Sequence, residues 1–230
     1  MECKAWIDST YHGSCVDGDG LRSVIFFSGC NLRCPFCHNP ETLYTKGREI
    51  TLENAVKEVL KYKNYIKKGG VTLSGGEPFL QADFCINLVK ELKKEGIKVI
   101  IETNGTIVHD ELISLIDGVR LDVKNQNGED KESLKNRYKP FLEMCKKYNV
   151  NVTFTNVLCP SVNDDIDSLL SLKNFILELG FDAKIDFLPF KKMCLEKYEK
   201  LGKDFAYKDK MEATEIDVKK ARETIKILQS

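Results

Sequence analysis

Three cysteines lie within eight positions in the stretch FFSGCNLRCPFCHNPET, residues 26–42. Their spacing is Cys30-x3-Cys34-x2-Cys37, and they follow an apolar run that ends at Gly29. Thiolates are the protein ligands of iron–sulfur clusters, and a cube of four irons ordinarily takes four of them. Three thiolates would leave one iron open to bind something else. The spacing therefore favours a 4Fe-4S cluster with one open coordination position.

The alternative is a closed zinc site that adds His38 to the three thiolates. His38 follows Cys37 directly, and this adjacency strains a tetrahedral site. The remaining cysteines form no further C-x2-C pair, and free cysteines commonly behave as small buried apolar residues. We therefore expect them to be structural, with no second cluster: Cys3, Cys15, Cys85, Cys145, Cys159 and Cys194.

Polar or glycine-rich segments follow three further apolar runs: SGGEP at 74–78, ETNG at 102–105 and LDVK at 121–124. In parallel α/β folds, ligands bind at the carboxyl ends of the strands. We therefore expect these segments to meet the cysteine loop at one edge of the fold.

A repeating pattern of strands and helices must position these segments. A helix is predicted from Thr51, and a second has Phe84, Leu88 and Leu92 on one face and stops at Gly96. Strands that alternate with helices pair in parallel through right-handed crossovers. This allows an open doubly wound sheet or a partial (βα)6 barrel, and we favour the barrel. The six predicted strands span 22–29, 70–76, 97–105, 118–124, 150–160 and 183–190.

The chain has 230 residues, of which 42% are hydrophobic, and this suits one domain over 1–230. Its core should span about 16–190, followed by a polar segment and a helix over 191–230. The last helix is predicted from about Thr214 to Gln229, with Ile216, Ile225 and Leu228 as its inner face.

Basic and acidic residues balance at 35 each, so charge indicates neither nucleic acid nor a membrane as a partner. The N-terminus has no apolar signal core, and no apolar run approaches the length needed to span a bilayer. Nine cysteines without an export signal suit a reducing compartment. We expect a cytoplasmic protein.

Together, C-x3-C-x2-C, SGGEP and ETNG at three successive strand ends resemble the radical S-adenosylmethionine (SAM) enzymes. Within them, CVDGDGLRSVIFFSGCNLRCPFCHNPET, residues 15–42, is similar to the glycyl-radical enzyme activases. The resemblance runs from about Val16 to Phe190. It implies a partial (βα)6 barrel of the radical SAM superfamily, with a 4Fe-4S cluster on Cys30, Cys34 and Cys37.

The resemblance also implies an activity. SAM would bind the open iron through its amino and carboxylate groups, and one electron would cleave it to methionine and a 5′-deoxyadenosyl radical. That radical would remove a hydrogen from a backbone glycine of a partner, a glycyl-radical enzyme. Flavodoxin or ferredoxin is the expected electron donor.

Residue roles follow from the same resemblance. Gly75 and Gly76 lack side chains, so their backbone could approach the methionine moiety of SAM, and Glu77 would hold that turn. Glu102 would accept a hydrogen bond from the SAM ammonium, and Lys124 would pair with the SAM carboxylate.

The other residues expected to bind cofactors are Phe36, Thr103, Asn104, Asp122 and Lys191. A sodium or potassium ion is a further hypothesis beside Glu102, Thr103 and Asp122. For Glu102 and Asp122 the alternative is a salt bridge that closes a rim of the barrel.

Asp17, in VDGDG, matches a family aspartate near the glycine-bearing peptide, which makes it a catalytic candidate together with Lys124. An ordinary Asp-Gly turn is the alternative. The Asp17 turn should reach the rim beside the cluster and face the lysine-rich stretch 191–210 across the barrel mouth, so that both clamp the partner's loop.

Two departures from close relatives concern contacts with the substrate. Thr155 replaces an arginine and Lys191 a histidine, so we expect a different partner preference. Residues 38–74 contain no cysteine, which favours activases without an inserted ferredoxin-like domain.

Two other functions remain open. One is a radical SAM enzyme acting on a small molecule, such as the short carboxydeazaguanine synthases. The other is a cluster or zinc module without activity, which would leave the polar strand ends unexplained.

Overall fold

The computed structural model describes residues 3–124, 131–182 and 184–227. Its centre is one eight-stranded sheet in the order β3-β1-β2-β4-β5-β6-β7-β8. The six predicted strands are confirmed, although Ala183 of the sixth lies outside the described residues. The strands are β1 Lys4–Ser14, β2 Arg22–Phe27, β3 Arg48–Thr51, β4 Gly70–Gly75, β5 Val99–Thr103, β6 Gly118–Asp122, β7 Asn151–Leu158 and β8 Ile185–Pro189.

The predicted strands pair in parallel from β2 through β4 to β8, as helix crossovers require. Strands β3 and β8 form the two edges of the sheet. This is the fold expected for a partial (βα)6 barrel, with two additional strands on one side.

Strands β1 and β3 are the part of the sheet that the sequence analysis missed. They pair antiparallel to one another, and β1 also pairs antiparallel with β2. Burial alternates along β1, since Ala5 and Ile7 are buried while Trp6 between them is exposed, but all three residues are apolar and so the sequence shows no alternation there.

Seven α-helices and two short 3₁₀ helices, Pro40–Leu43 and Pro78–Gln81, accompany the sheet in the part of the chain that the structure describes. Thr51 caps the first α-helix, and its hydroxyl accepts from the Asn54 N–H at 3.2 Å. The second α-helix buries Phe84, Leu88 and Leu92 as predicted. The α-helices are α1 Leu52–Leu60, α2 Ala82–Lys94, α3 Asp110–Leu115, α4 Lys131–Lys147, α5 Ile166–Glu178, α6 Leu195–Lys200 and α7 Glu215–Ile227.

The inner face of α7 is only partly the predicted one. Ile225 is buried, but Ile216 is 65% exposed, so its placement in the core was wrong. Val218 and Ala221, which share the face of Ile225, are buried instead. Leu228 lies outside the described residues. No described helix is both long and apolar enough to cross a membrane.

Candidate active site

A cavity of about 260 Å³ lies at the carboxyl ends of the parallel strands. The loop after β2 and the ends of β4, β5, β6, β7 and β8 all contribute to its wall. Most of the predicted site residues line it: Cys30, Cys34, Phe36, Cys37, Gly75, Gly76, Glu102, Thr103, Asn104, Asp122 and Lys124.

The three thiols of the cysteine loop are partly buried beside this cavity. Burial raises the pKa of Cys30 and Cys34, and it raises that of Cys37 to about 11. The thiols are therefore protonated near pH 7 until a metal displaces their protons. Among the described residues, no three His, Cys, Asp or Glu side chains converge on a single metal ion. Ligands of a cube bind three separate irons and need not converge on one point.

The zinc alternative requires His38 as a fourth ligand. The Nε2 of His38 instead contacts the carbonyl oxygen of Lys191, on the chain that follows β8. The histidine thus bridges two segments of the protein, and the observation that favours the three-thiolate site is that no described group of three His, Cys, Asp or Glu residues could hold one metal ion.

Gly75 and Gly76 line the cavity, and the packing of the protein backbone gives a further reason for glycine at both positions. A Cβ on Gly76 would lie 2.0 Å from the carbonyl oxygen of Gly29, the residue before Cys30. Gly75 has a φ of +105°, and a Cβ there would lie 2.4 Å from the backbone nitrogen of Phe27. Side chains are excluded first by the protein's own backbone, so these glycines pack the turn against the cysteine loop.

Glu77 is fully buried beneath the turn and does not line the cavity. Its carboxylate accepts from the N–H of Phe79 at 3.1 Å, the hydroxyl of Thr103 at 2.8 Å and the N–H of Asn104 at 2.9 Å. Burial raises the pKa of Glu77 although these bonds oppose the shift. The carboxylate joins the ends of β4 and β5, consistent with the expected role in holding the turn.

Asn104 connects β5 to the cysteine loop. Its side-chain amide donates to the Oδ1 of Asn31 at 2.9 Å, and Asn31 follows Cys30 directly. The end of β5 is thereby tied to the first cluster ligand.

Glu102 lies between two protein donors. Its Oε2 accepts from the hydroxyl of Ser74 at 2.7 Å, and its Oε1 accepts from the Nε of Arg120 at 2.8 Å. Arg120 also donates to Asp186 at 3.0 Å. The ion pair between Arg120 and Glu102 is the salt bridge that the sequence analysis gave as the alternative role for Glu102, and it forms inside the barrel. Sequence reasoning missed Arg120, although it lies two positions before Asp122 and so shares its face.

Asp122 and Lys124 form an ion pair at the end of β6. Burial acts to lower the pKa of Lys124, but the negative charge of Asp122 and the hydrogen bond to its carboxylate outweigh it and raise the pKa overall. The ammonium also lies 5.3 Å from the ring centroid of Phe36. The second oxygen of Asp122, Oδ1, is buried without a hydrogen-bond partner among the described residues. An unpaired acceptor in the cavity wall suits a ligand that carries a donor.

Besides Glu77, two predicted residues lie outside the cavity wall. The ammonium of Lys191 donates a hydrogen bond to the carbonyl oxygen of Ala213 at 2.8 Å. Asp17 is in the loop between β1 and β2, where its side chain accepts from Ser14 and its carbonyl accepts from Thr72 at 2.7 Å.

That loop precedes β2, whereas Cys30 follows it, so Asp17 lies toward the opposite end of the parallel strands. The expectation that Asp17 reaches the rim beside the cluster and faces the stretch 191–210 was wrong. The adjacent Gly18 and Asp19 line a second cavity of about 1020 Å³, and Arg120 lines both cavities.

A sequence model of the radical SAM superfamily matches residues 24–172, which include the three cysteines and the polar ends of β4, β5 and β6. The chain therefore belongs to the radical SAM superfamily, whose enzymes use a 4Fe-4S cluster and SAM. It is 36% identical over 203 residues to the pyruvate formate-lyase-activating enzyme of Clostridium pasteurianum, which covers 84% of this chain and 85% of that one. It is 38% identical over 202 residues to the pyruvate formate-lyase 1-activating enzyme of Escherichia coli K12, and the alignment covers 83% of this chain and 82% of that one. Within the superfamily it belongs to the family of these activating enzymes.

Solved structures share the fold. QueE from Escherichia coli superposes with a TM-score of 0.56 at 18% identity, covering 87% of this chain and 92% of that one. A domain of the pyruvate-formate lyase-activating enzyme from Bacteroides vulgatus superposes with a TM-score of 0.52 at 16% identity. The superposition covers 70% of this chain and 95% of that one. The predicted fold class and the resemblance to the activases are confirmed.

Proposed function

We propose that this chain activates a glycyl-radical enzyme of the pyruvate formate-lyase type. It would cleave SAM reductively and use the 5′-deoxyadenosyl radical to remove a hydrogen from a backbone glycine of that partner. The observation that carries the proposal is 36% and 38% identity, over more than four fifths of their length, to two relatives named for this activation.

When bound, the 4Fe-4S cluster supplies the electron that cleaves SAM. Cys30, Cys34 and Cys37 would hold the cluster after losing their thiol protons. Lys124 would pair with the SAM carboxylate, because its raised pKa keeps it a cation over the working pH range. Asp122 Oδ1 would accept from the SAM ammonium, since it is unpaired whereas both oxygens of Glu102 are already hydrogen-bonded.

Several further features belong to the proposal. Flavodoxin or ferredoxin would donate the electron, and a sodium or potassium ion beside Glu102, Thr103 and Asp122 stays a hypothesis. Residues 1–230 would act as one domain, since Val218 and Ala221 of α7 belong to the main core. The cytoplasm would be the location, which suits nine free cysteines.

The proposal is tested with reduced, reconstituted protein, SAM and any glycyl-radical protein that the genome encodes near its gene. We expect methionine and 5′-deoxyadenosine, together with the glycyl doublet in the electron paramagnetic resonance (EPR) spectrum of the partner. A Cys37→Ser variant is the matched control and should give neither.

The other outcomes decide against the proposal. SAM cleavage without a doublet would favour a small-molecule substrate, and no cleavage would favour a cluster module without activity. A second arm uses pyruvate formate-lyase from Escherichia coli. Because Thr155 lines the cavity in place of an arginine, we expect a lower yield than with the cognate partner. Equal yields would contradict this preference.

A further inference from the structure

We propose that the segment 190–213, called here the C-terminal cover, holds the cysteine loop in its ligating conformation, and that Tyr198 is a positioning residue for Cys37. The cover lies beyond residue 172, where the match to the superfamily ends. It packs on the loop that carries all three cluster ligands.

Polar contacts concentrate on the part of the loop at and just after the third cysteine. The hydroxyl of Tyr198, on α6, donates to the carbonyl of Cys37 at 3.1 Å. The ammonium of Lys197 donates to Asn39 Oδ1 at 3.0 Å and pairs with the carboxylate of Glu41. With the contact between His38 and the Lys191 carbonyl, the cover reaches four positions between 37 and 41.

Aromatic side chains fill the space between the cover and the loop. Phe36, between the second and third cysteines, packs with its ring centroid 6.2 Å from that of Tyr207. Tyr198 packs 4.8 Å from Phe205, and both are buried with Phe36 in a hydrophobic cluster separate from the main core. The loop is thus packed on its outer side by residues that lie more than 150 positions later.

The cover is itself attached to the sheet. The N–H of Phe190 donates to the carbonyl of Leu158 in β7 at 2.9 Å, and the N–H of Ala213 donates to the carbonyl of Phe190 at 2.9 Å. Both ends of the cover therefore connect to the strand ends, and its position is set by the barrel.

These contacts matter because a short loop with three ligands has much conformational freedom to lose on binding a cluster. One turn is closed within it, by the Cys37 N–H donating to the Cys34 carbonyl at 3.2 Å. Contacts that hold the loop near its bound conformation reduce the ordering cost of binding. Removing one of these contacts should therefore make the cluster dissociate faster, although all three cysteine ligands are still present.

The first test compares Tyr198→Phe with Tyr207→Phe in the reconstituted protein. Both remove one hydroxyl from the same aromatic cluster, but the described residues offer the Tyr207 hydroxyl no hydrogen bond. The readouts are the rate of iron release to a ferrous chelator and the EPR spectrum of the reduced cluster without SAM. For Tyr198→Phe we expect roughly two- to tenfold faster release, as for one lost hydrogen bond, and a changed spectrum. Tyr207→Phe should match the wild type in both.

The second test compares Lys197→Met with Lys200→Met on the same helix. Lys197→Met leaves the Glu41 carboxylate unpaired, so iron release should accelerate, whereas Lys200 has no described ion pair and its replacement should change nothing. If Tyr198→Phe and Lys197→Met both released iron at the wild-type rate, the proposal would be overturned. Equal acceleration by Tyr198→Phe and Tyr207→Phe would overturn the role of the Cys37 contact. Neither readout depends on a partner, so this proposal can fail while the proposed activity stands.

Discussion

At the scale of single residues, the ion pair of Asp122 and Lys124 sets the charge of the cavity wall. Lys124 is held as a cation by Asp122, whose negative charge raises the pKa of the ammonium against the effect of burial. Asp122 uses one oxygen for this pair and keeps the other free. An adjacent cation and free acceptor match the carboxylate and ammonium of an amino acid, which are the groups that SAM carries.

We predict that Lys124→Met weakens SAM binding roughly 10- to 100-fold, because a charge-assisted hydrogen bond is lost. Cluster content should stay at the wild-type level. The affinity is measured by titrating SAM into the reduced protein while following its EPR spectrum. Lys200→Met, an exposed lysine on α6, is the control and should bind SAM normally. An unchanged affinity in Lys124→Met would assign the SAM carboxylate to another cation.

At the scale of elements, the turn after β4 and the loop after β2 form one packed unit. The N–H of Gly76 donates to the Phe27 carbonyl at 2.8 Å, and the N–H of Glu77 donates to the Gly29 carbonyl at 2.7 Å. The missing Cβ of Gly76 is what lets these backbones approach. The SAM side and the cluster side of the site are therefore mechanically coupled through this turn.

We predict that Gly76→Ala lowers iron incorporation as well as SAM binding, because its Cβ would displace the residue before Cys30. Iron content per chain after anaerobic reconstitution is the measurement. Gly118→Ala is the control, since a Cβ there would lie 3.3 Å from its nearest neighbour, the side chain of Ile100. Full iron content with weak SAM binding in Gly76→Ala would show that the methyl group blocks only the ligand.

At the scale of the whole molecule, a chain of charged groups crosses the barrel interior. It runs from Glu102 through Arg120 to Asp186, and Arg222 of α7 donates to Asp186 at 2.9 Å. The side chain of Arg120 is only 9% exposed, whereas those of Asp186 and Arg222 are 34% and 49% exposed. The inner end of this network should therefore carry more of the stability than the outer end.

We predict that Arg120→Met lowers the free energy of unfolding by about 1.5–3 kcal/mol, because it removes a charge-assisted hydrogen bond and leaves the partly buried Glu102 without its cation. Arg222→Met should cost less than about 1 kcal/mol, since its pair is largely solvated. Anaerobic urea unfolding followed by circular dichroism measures both. Glu102→Gln in the Arg120→Met background should recover part of the loss. Equal costs for the two arginine variants would mean that burial does not govern this network.

Much of this arrangement is visible in the sequence because it depends on local spacing. Cys30, Cys34 and Cys37 lie within eight positions, and a loop that short brings their thiols to one region whatever surrounds it. The six parallel strands follow from runs of apolar residues, and their carboxyl ends meet because helix crossovers make them parallel. These features identified the cluster loop, the barrel and the family.

Only the tertiary structure decided which groups pair across the site. Glu102 pairs with Arg120 in the cavity wall, the Asp17 loop lies toward the far end of the strands, and Tyr198 reaches Cys37 across 161 positions. The periodicity of a strand tells which face a side chain takes, but not what the neighbouring strand or a distant segment places opposite it. Those partners depend on strand register and on the path of the C-terminal chain. Both are set by the packing of the whole fold, because only that packing brings residues so distant in sequence into contact.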